Sequence, residues 1–203
     1  MRYSYFYDYA ALLTRVLSIG YKKEYTTSSI ERLISYSSYF QQVEKDKYIL
    51  APIITEKDLI NSFYPDLVDE INKYQIFVQC MWAAESYLKI QGKTGLTFEC
   101  IFLYIPLAKM YQYFPVYHEM DFLQIINLFM EKHNEQSVLE ILSERFGYKT
   151  SDISHLAQIP YNTVQSLKLR RRSFKKSNVE IVYKLASLFK VRIETIAELE
   201  INE

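Results

Sequence analysis

The sequence predicts a mainly α-helical fold, and three observations support this prediction. Glycine and proline, the residues that most often interrupt helices, number only four and five among 203 residues. Hydrophobic residues make up 49% of the chain, which is enough for a substantial core. Most segments repeat apolar residues at intervals of three and four, the spacing that places them on one face of a helix. We therefore expect one or two compact domains without long flexible linkers.

Residues 1–133 form an aromatic-rich region that holds 16 of the 19 tyrosines. This aromatic content predicts a folded domain with tyrosines at its surface or in an interface. Such a domain would dimerise, sense a signal or act as an effector. The apolar spacing predicts six helices in this region, over residues 5–19, 26–40, 55–64, 67–92, 96–114 and 117–133.

Local signals mark some of these helices. The second predicted helix opens with Ser and Thr hydroxyls that can cap its first turn, and it then places Ile30, Leu33 and Ile34 on one face. The fifth is mostly apolar and should be a buried helix, broken near Pro106 because proline clashes with the preceding turn.

Residues 41–50 read QQVEKDKYIL, in which a polar centre separates two apolar flanks. This pattern allows a small β-hairpin. A helix followed by a hairpin resembles the end of a winged-helix domain, in which five side chains would face DNA: Ser28, Ser29, Arg32, Lys45 and Lys47. The alternative is a hairpin that packs on the core or lies in a dimer interface.

Residues 150–169 read TSDISHLAQIPYNTVQSLKL and predict two short helices. The first would bury Ile153, Leu156 and Ala157, and the second would bury Val164 and Leu167. A proline at position 160 can start a new helix after a break, because an N–H in the first helical turn has no partner within the helix and proline lacks only this group. Two short helices at a steep angle, joined by a turn of three or four residues, form a helix-turn-helix unit.

This segment resembles the Cro and phage-repressor type of helix-turn-helix, the XRE family. The matching positions are Ile153 (first buried aliphatic), Ser154 (small residue at the helix contact), Ile159 (turn aliphatic), Thr163 (phosphate-facing hydroxyl), and Val164 and Leu167 (inner face of the recognition helix). One departure is Gln158, which stands where the family usually has glycine. A residue other than glycine with positive φ costs about 1 kcal/mol there.

The flanking sequence also fits the family. SVLEILSERFGY (137–148) supplies a preceding helix, and residues 178–199 resemble the two closing helices. The buried set of those closing helices would be Val179, Val182, Leu185, Ala186, Leu188 and Phe189. The resemblance thus implies a lambda-repressor-like bundle of about five helices over residues 137–203. The polar stretch 133–137 is the seam between this domain and residues 1–133, and it is short enough that the two should pack together.

Positive charge is concentrated around the predicted recognition helix. The chain as a whole is neutral, with 24 basic and 24 acidic residues. Between Arg145 and Lys176 there are eight basic residues and one acid, Asp152. Because duplex DNA is bound largely through its phosphates, this cluster favours DNA binding. The alternative is that the basic segment 168–176 is only a solvated loop.

The family's docking geometry places the N-terminal part of the recognition helix, about 160–169, in the major groove. Exposed residues of that helix would contact bases or their surroundings, with Asn162 and Gln165 reading adenine. Those residues are Tyr161, Asn162, Gln165, Ser166 and Lys168. The remaining candidates would contact phosphate, namely Thr163, Arg170, Arg171, Arg172, Lys175 and Lys176. The alternative for Asn162 is a role at the helix N-terminus similar to that of a cap.

No catalytic or metal-binding pattern stands out. His118 and Glu119 lack the second histidine of a zinc-protease helix, and a structural hydrogen bond is the simpler interpretation. Glu85, Glu99 and Glu119 would be general acids only if they converged in a cleft. The four glycines do not cluster into a phosphate-binding loop. We therefore expect no enzymatic activity, no metal and no cofactor.

Cys80 and Cys100 lie on apolar segments and should be reduced and buried, as in a cytoplasmic protein; the alternative is a disulfide between them. The start of the chain lacks the features of a signal peptide, and no run of about 18 apolar residues is present to span a membrane.

Three functions remain open after these observations. The first is a bacterial or phage transcriptional regulator, such as a repressor, that binds double-stranded DNA as a homodimer. The second is a mobile-element effector, either a protein-binding inhibitor or a toxin–antitoxin component, whose helix-turn-helix autoregulates its own gene. In that case residues 1–133 would bind a protein partner or a small ligand. The third is an enzyme tethered to DNA.

Overall fold

The structure is a computed structural model that describes residues 3–45 and 74–198. Within these ranges the chain is mainly helical and contains no β-strand, so the predicted mainly α-helical class is confirmed. The helix predicted at 55–64 and the start of the one at 67–92 lie outside the described residues. None of the described helices is long and apolar enough to cross a lipid bilayer.

The described part of residues 3–135 forms seven helices. They are α1 (Tyr3–Lys22), α2 (Thr27–Tyr36), α3 (Ser38–Glu44), α4 (Tyr74–Thr94), α5 (Phe98–Tyr104), α6 (Leu107–Tyr117) and α7 (Phe122–Glu135). The most extensive pairing is that of α1 with α4. Leu13 and Leu17 of α1, and Ala83 and Tyr87 of α4, are completely buried in the core.

The predicted end signals act at two of these helices. Thr26 caps α2, since its hydroxyl accepts a hydrogen bond of 3.2 Å from the backbone N–H of Ser29. The predicted break near Pro106 is also present, because α5 ends at Tyr104 and α6 starts at Leu107. The buried carboxylate of Glu31 accepts a 2.6 Å hydrogen bond from the backbone N–H of Leu107. Burial raises the pKa of this carboxyl group above its usual value.

The structure does not have the first strand of the β-hairpin that the sequence allowed at 41–50. Residues 41–44 belong to α3, and residues 46–50 lie outside the described residues. The helix forms because Tyr39, Phe40 and Val43 reach the core at helical spacing. The winged-helix interpretation depended on this hairpin and loses its first strand. Four of its proposed DNA-facing residues, Ser28, Ser29, Arg32 and Lys45, are exposed, and Lys47 lies outside the described residues.

Residues 138–196 form five further helices. They are α8 (Val138–Phe146), α9 (Thr150–Ala157), α10 (Tyr161–Lys168), α11 (Val179–Phe189) and α12 (Ile193–Ile196), with a 3₁₀ turn at Phe174–Lys176. The predicted seam at 133–137 coincides with the end of α7 and the start of α8. One hydrophobic cluster includes buried residues from both sides of this seam, so the two regions pack against each other.

Two carboxylates, one buried and one half-buried, join the regions through the start of α12. Glu44, which is completely buried, accepts a 2.8 Å hydrogen bond from the Arg192 guanidinium and a 2.6 Å bond from the backbone N–H of Phe98. Burial raises the pKa of Glu44, and the arginine opposes that shift. Glu99 accepts 2.8 Å and 2.7 Å bonds from the Arg192 backbone N–H and the Thr195 hydroxyl. Each carboxylate therefore satisfies a helix start that lies far away in the sequence.

Three residues predicted to be buried are exposed. Leu33 is 36% exposed, Leu156 52% and Val179 74%. In the short helix α9 only Ile153 and Ala157 point into the core, so Leu156 lies beside the buried face. Val179 is the first residue of α11 and precedes its buried face, which begins at Val182. Spacing alone did not determine which apolar positions the neighbouring helices cover.

The two cysteines are free and buried, as predicted. The thiol of Cys80 lies 3.6 Å from the Tyr111 hydroxyl. Burial is the main cause that raises the pKa values of both thiols. Both cysteines are therefore unreactive core residues.

Candidate nucleic-acid interface

The turn between α9 and α10 is closed by a specific set of backbone hydrogen bonds. Gln158 adopts the left-handed conformation, with φ 54° and ψ 48°. Its N–H donates to the His155 carbonyl at 3.3 Å, and the next N–H, of Ile159, donates to the Ser154 carbonyl at 3.0 Å. This pattern is the Schellman motif, which usually has glycine at the left-handed position. The structure therefore has the positive φ that the resemblance implied, with glutamine in place of glycine.

The side chain of Ser154 fixes the turn from the inside. Its hydroxyl donates a 2.6 Å hydrogen bond to the carbonyl oxygen of Ile159. Ile159 is buried together with Ile153, which adds the hydrophobic contact typical of this motif. A small hydroxyl residue at position 154 thus joins the end of α9 to the residue before Pro160.

Helix α10 has a buried face and an exposed face. Val164 and Leu167 are completely buried. Tyr161, Asn162 and Gln165 are exposed on the other side. Three amide- or hydroxyl-bearing side chains therefore point to solvent from a helix whose other side is fixed in the core.

The alternative role of Asn162 as a helix cap is not what the structure shows. The N-cap position is Pro160, and no side chain caps this helix. The hydroxyl of Ser166 donates a 2.6 Å hydrogen bond to the backbone carbonyl of Asn162. Ser166, Thr163 and Lys168 are each half-buried. Among the five predicted base-facing residues, Tyr161, Asn162 and Gln165 are therefore the most accessible.

The basic residues after α10 point in different directions. Arg171, Arg172 and Lys176 are exposed, and none of the three forms an ion pair with a described residue. Arg170 has φ 53°, and its guanidinium donates to both carboxylate oxygens of Glu198, at 3.1 Å and 3.3 Å. The side chain of Lys175 lies outside the description. Arg170 is thus paired with a carboxylate of the same chain and is not a free cation for phosphate.

Glu198 is the acceptor at the centre of a polar cluster that sequence reasoning missed. One of its carboxylate oxygens accepts hydrogen bonds of 3.0 Å from the Tyr104 hydroxyl and from the backbone N–H of Val138. The other carboxylate oxygen lies 3.7 Å from Nε2 of His133. Burial raises the pKa of the Tyr104 hydroxyl far above its usual value, so this group stays protonated and available as a donor. Nothing in the local sequence around residue 198 indicates this cluster.

Ser137 connects the seam to the end of α10. Its hydroxyl accepts a 3.1 Å hydrogen bond from the backbone N–H of Glu140 and so caps α8. The same hydroxyl donates a 2.8 Å hydrogen bond to the backbone carbonyl of Lys168. The C-terminal end of α10 is therefore held by the residue that starts α8.

Glu99 and Glu119, two of the three acids considered as general acids, are each engaged in a different part of the fold. Glu99 is occupied at the start of α12, and Glu119 lies 3.7 Å from His118 on the surface. His118 stacks on the Phe114 ring with centroids 4.5 Å apart, and its Nδ1 lies 2.8 Å from the Phe114 carbonyl oxygen. Within the described ranges, no group of three or more potential metal ligands is present.

Comparisons of the chain with protein-family models, with curated proteins and with solved structures give no match.

Proposed function

We propose that this protein is a sequence-specific DNA-binding transcriptional regulator. In this proposal α9 and α10 form a helix-turn-helix of the XRE type within a lambda-repressor-like bundle. The observation that carries the proposal is the exposed face of α10, with Tyr161, Asn162 and Gln165 pointing outward above a buried Val164 and Leu167. Asparagine and glutamine amides can each pair in bidentate fashion with adenine in the major groove.

The charges beside α10 support the same proposal. Arg171, Arg172 and Lys176 are exposed and have no internal partner among the described residues. Asp152, the acid in this part of the chain, is occupied by the backbone N–H of Lys149 at 2.8 Å. The exposed cations can therefore neutralise phosphates on either side of the groove, which gives affinity and position but no sequence preference.

In this proposal two copies of the chain bind DNA together, because two-fold symmetric proteins match two half-sites one helical turn apart. Val179 and Tyr183 lie one turn apart on α11 and are 74% and 59% exposed. Burial of these apolar side chains against a second copy would stabilise a dimer. Sedimentation of the wild type and of a Val179→Glu, Tyr183→Glu variant tests this part of the proposal.

A second candidate function is a mobile-element effector that binds another molecule through residues 1–133 and autoregulates its gene. An open groove of about 720 Å³ favours it. Exposed Tyr25, Leu33 and Tyr36 line this groove beside Arg32. Exposed aromatic side chains beside an arginine are typical of protein-binding surfaces. A protein that co-purifies with the wild type and is lost from a Tyr36→Ala variant would favour this candidate.

The experiment that tests the first proposal is a selection of duplexes from a random pool, followed by titration. DNA from directly upstream of the gene is titrated alongside. Gln165→Ala should weaken binding to the selected duplex by about 5- to 150-fold, corresponding to about 1–3 kcal/mol. It should leave weak binding to random DNA unchanged. Gln124→Ala is the matched control, since Gln124 is an exposed glutamine on α7.

Two outcomes would overturn the proposal. The first is that no duplex is enriched and that binding is equally weak on all DNA. The second is that an enriched duplex is bound equally well by the wild type and by Gln165→Ala and Asn162→Ala variants. In that case α9 and α10 would have a packing role, and residues 1–133 would hold the function.

A further inference from the structure

A cavity of about 460 Å³ lies where the two regions of the chain meet, behind α10. Its walls come from the end of α4, from α7, from the start of α8 and from the segment that follows α10. Leu96, Met130, Leu167 and Phe174 give it apolar walls. This volume falls within the range of small-molecule sites, and polar and charged side chains complete the lining.

The charges of the described residues that line this cavity leave a positive excess. Among the described residues that line it, the only acid is Glu198, whose carboxylate is already paired with Arg170 at 3.1 Å. The imidazole Nε2 of His133 lies 3.7 Å from the same carboxylate. The two remaining cations in the lining, Lys93 and Arg172, form no ion pair with a described residue.

We propose that this cavity binds a small organic anion with an apolar body, and that its occupancy orders the segment 169–174. The anionic group would lie between Lys93 and Arg172, and the apolar body would contact Met130 and Phe174. The binding site itself does not depend on DNA. The regulatory consequence, a ligand-dependent affinity for DNA, rests on the function proposed above.

The coupling follows from the elements that the cavity joins. Lys93 belongs to the α4–α7 side, whereas Arg172 belongs to the segment that follows α10. The backbone N–H of Arg172 donates a 3.2 Å hydrogen bond to the carbonyl of Ser166, inside α10. An anion held by both cations would therefore fix this segment against α4 and α7. A ligand shifts an equilibrium in this way only if it makes contacts that one state has and the other lacks.

The test uses the full chain and two fluorescent probes that share one aromatic body. The first probe, 8-anilinonaphthalene-1-sulfonate, carries an anionic group, and the second, N-phenyl-1-naphthylamine, lacks it. We expect saturable binding of the first probe at one site and weaker binding of the second. Lys93→Met should weaken binding of the anionic probe by about tenfold, because it removes one charge-assisted contact.

Lys22→Met is the matched control. Lys22 and Lys93 are both exposed lysines in the last turn of a long helix, and Lys22 does not line the cavity. Neither lysine has an ion-pair partner among the described residues, so both variants should fold. Unchanged near-ultraviolet circular dichroism in the presence of probe excludes binding to a loosened fold.

Hydrogen exchange measures the coupling without DNA. Binding of the anionic probe should slow exchange of the backbone amides of 170 and 172. Equal binding of the two probes, or equal binding by the wild type and Lys93→Met, would overturn the site. Unchanged amide exchange at saturation would overturn the coupling. These results are independent of any DNA titration, so failure of the proposed function and failure of this inference can be told apart.

Discussion

Removal of the exposed arginine pair at 171 and 172 should change how DNA affinity depends on salt. Both side chains are exposed, and neither forms an ion pair with a described residue, so their removal breaks no ion pair of the described fold. Arg171→Ala, Arg172→Ala should therefore fold normally. Its free energy of unfolding should stay within about 0.5 kcal/mol of that of the wild type.

The magnitude follows from the number of phosphate contacts that are lost. Each contact contributes about 0.9 to the slope of log K against log salt concentration. Loss of two contacts should reduce the slope by about 1.8 for each bound chain. If the two salt curves converge near 1 M, this change corresponds to an affinity loss of about 60-fold near 0.1 M.

The assay is a fluorescence-anisotropy titration of a labelled duplex at several KCl concentrations. Lys22→Ala, Lys23→Ala is the matched control, because it removes two adjacent exposed cations at the end of α1. Arg170→Ala is a contrasting variant. It should keep the slope and reduce the free energy of unfolding, because it leaves Glu198 without its guanidinium partner. An unchanged slope in the 171/172 variant, or an equal change in the control, would refute the assignment of these arginines to phosphate.

Three further predictions concern stability, each measured by urea unfolding. Gln158→Gly should raise the free energy of unfolding by about 0.5–1 kcal/mol by relieving the positive φ, whereas Gln158→Val should lower it; equal effects would contradict the strain argument. Glu44→Gln should cost about 1.5–3 kcal/mol because Arg192 loses the charge of its 2.8 Å partner and keeps only Glu194, 3.7 Å away, and adding Arg192→Met should recover much of this loss. The pKa of Glu31 is raised in the folded state, so the stabilisation that its protonated form gives is present in full below the unfolded-state pKa of about 4.3. As pH rises from there through the folded-state pKa, this stabilisation is lost and the free energy of unfolding falls. Glu31→Gln should therefore flatten the pH dependence above pH 4.3, and an unchanged profile would contradict the shift.

The local sequence signals were sufficient for the helix ends and for the turn at 158–160. Proline at 106 and 160 and the hydroxyl at Thr26 each act where elementary helix physics places them. Helical spacing was also readable at Tyr39, Phe40 and Val43, although the polar residues that follow suggested a hairpin instead. At this segment, the helical spacing of these three apolar residues was a better guide to the secondary structure than the polar residues that follow them.

Contacts between distant residues could not be predicted from spacing. Glu198 and Arg170 are 28 positions apart, and Glu44 and Arg192 are 148 apart. No periodicity in a single sequence relates such pairs. For this reason the basic segment could be recognised as a cluster, while the pairing of Arg170 with Glu198 could not. The exposure of Leu156 has the same origin, since it depends on which neighbouring helices cover α9.

The contacts of Glu44 and Glu99 with the start of α12 affect how the chain can be truncated. A fragment that began at residue 137 would keep the predicted DNA-contacting residues but would lose both Glu44 and Glu99. The first turn of α12 would then have an uncapped backbone N–H, and Arg192 would lose its 2.8 Å acidic partner and keep only Glu194, 3.7 Å away. We therefore expect the C-terminal region to be less stable alone than within the full chain. A fusion or truncation that needs it intact must carry α3 and α5 along with it.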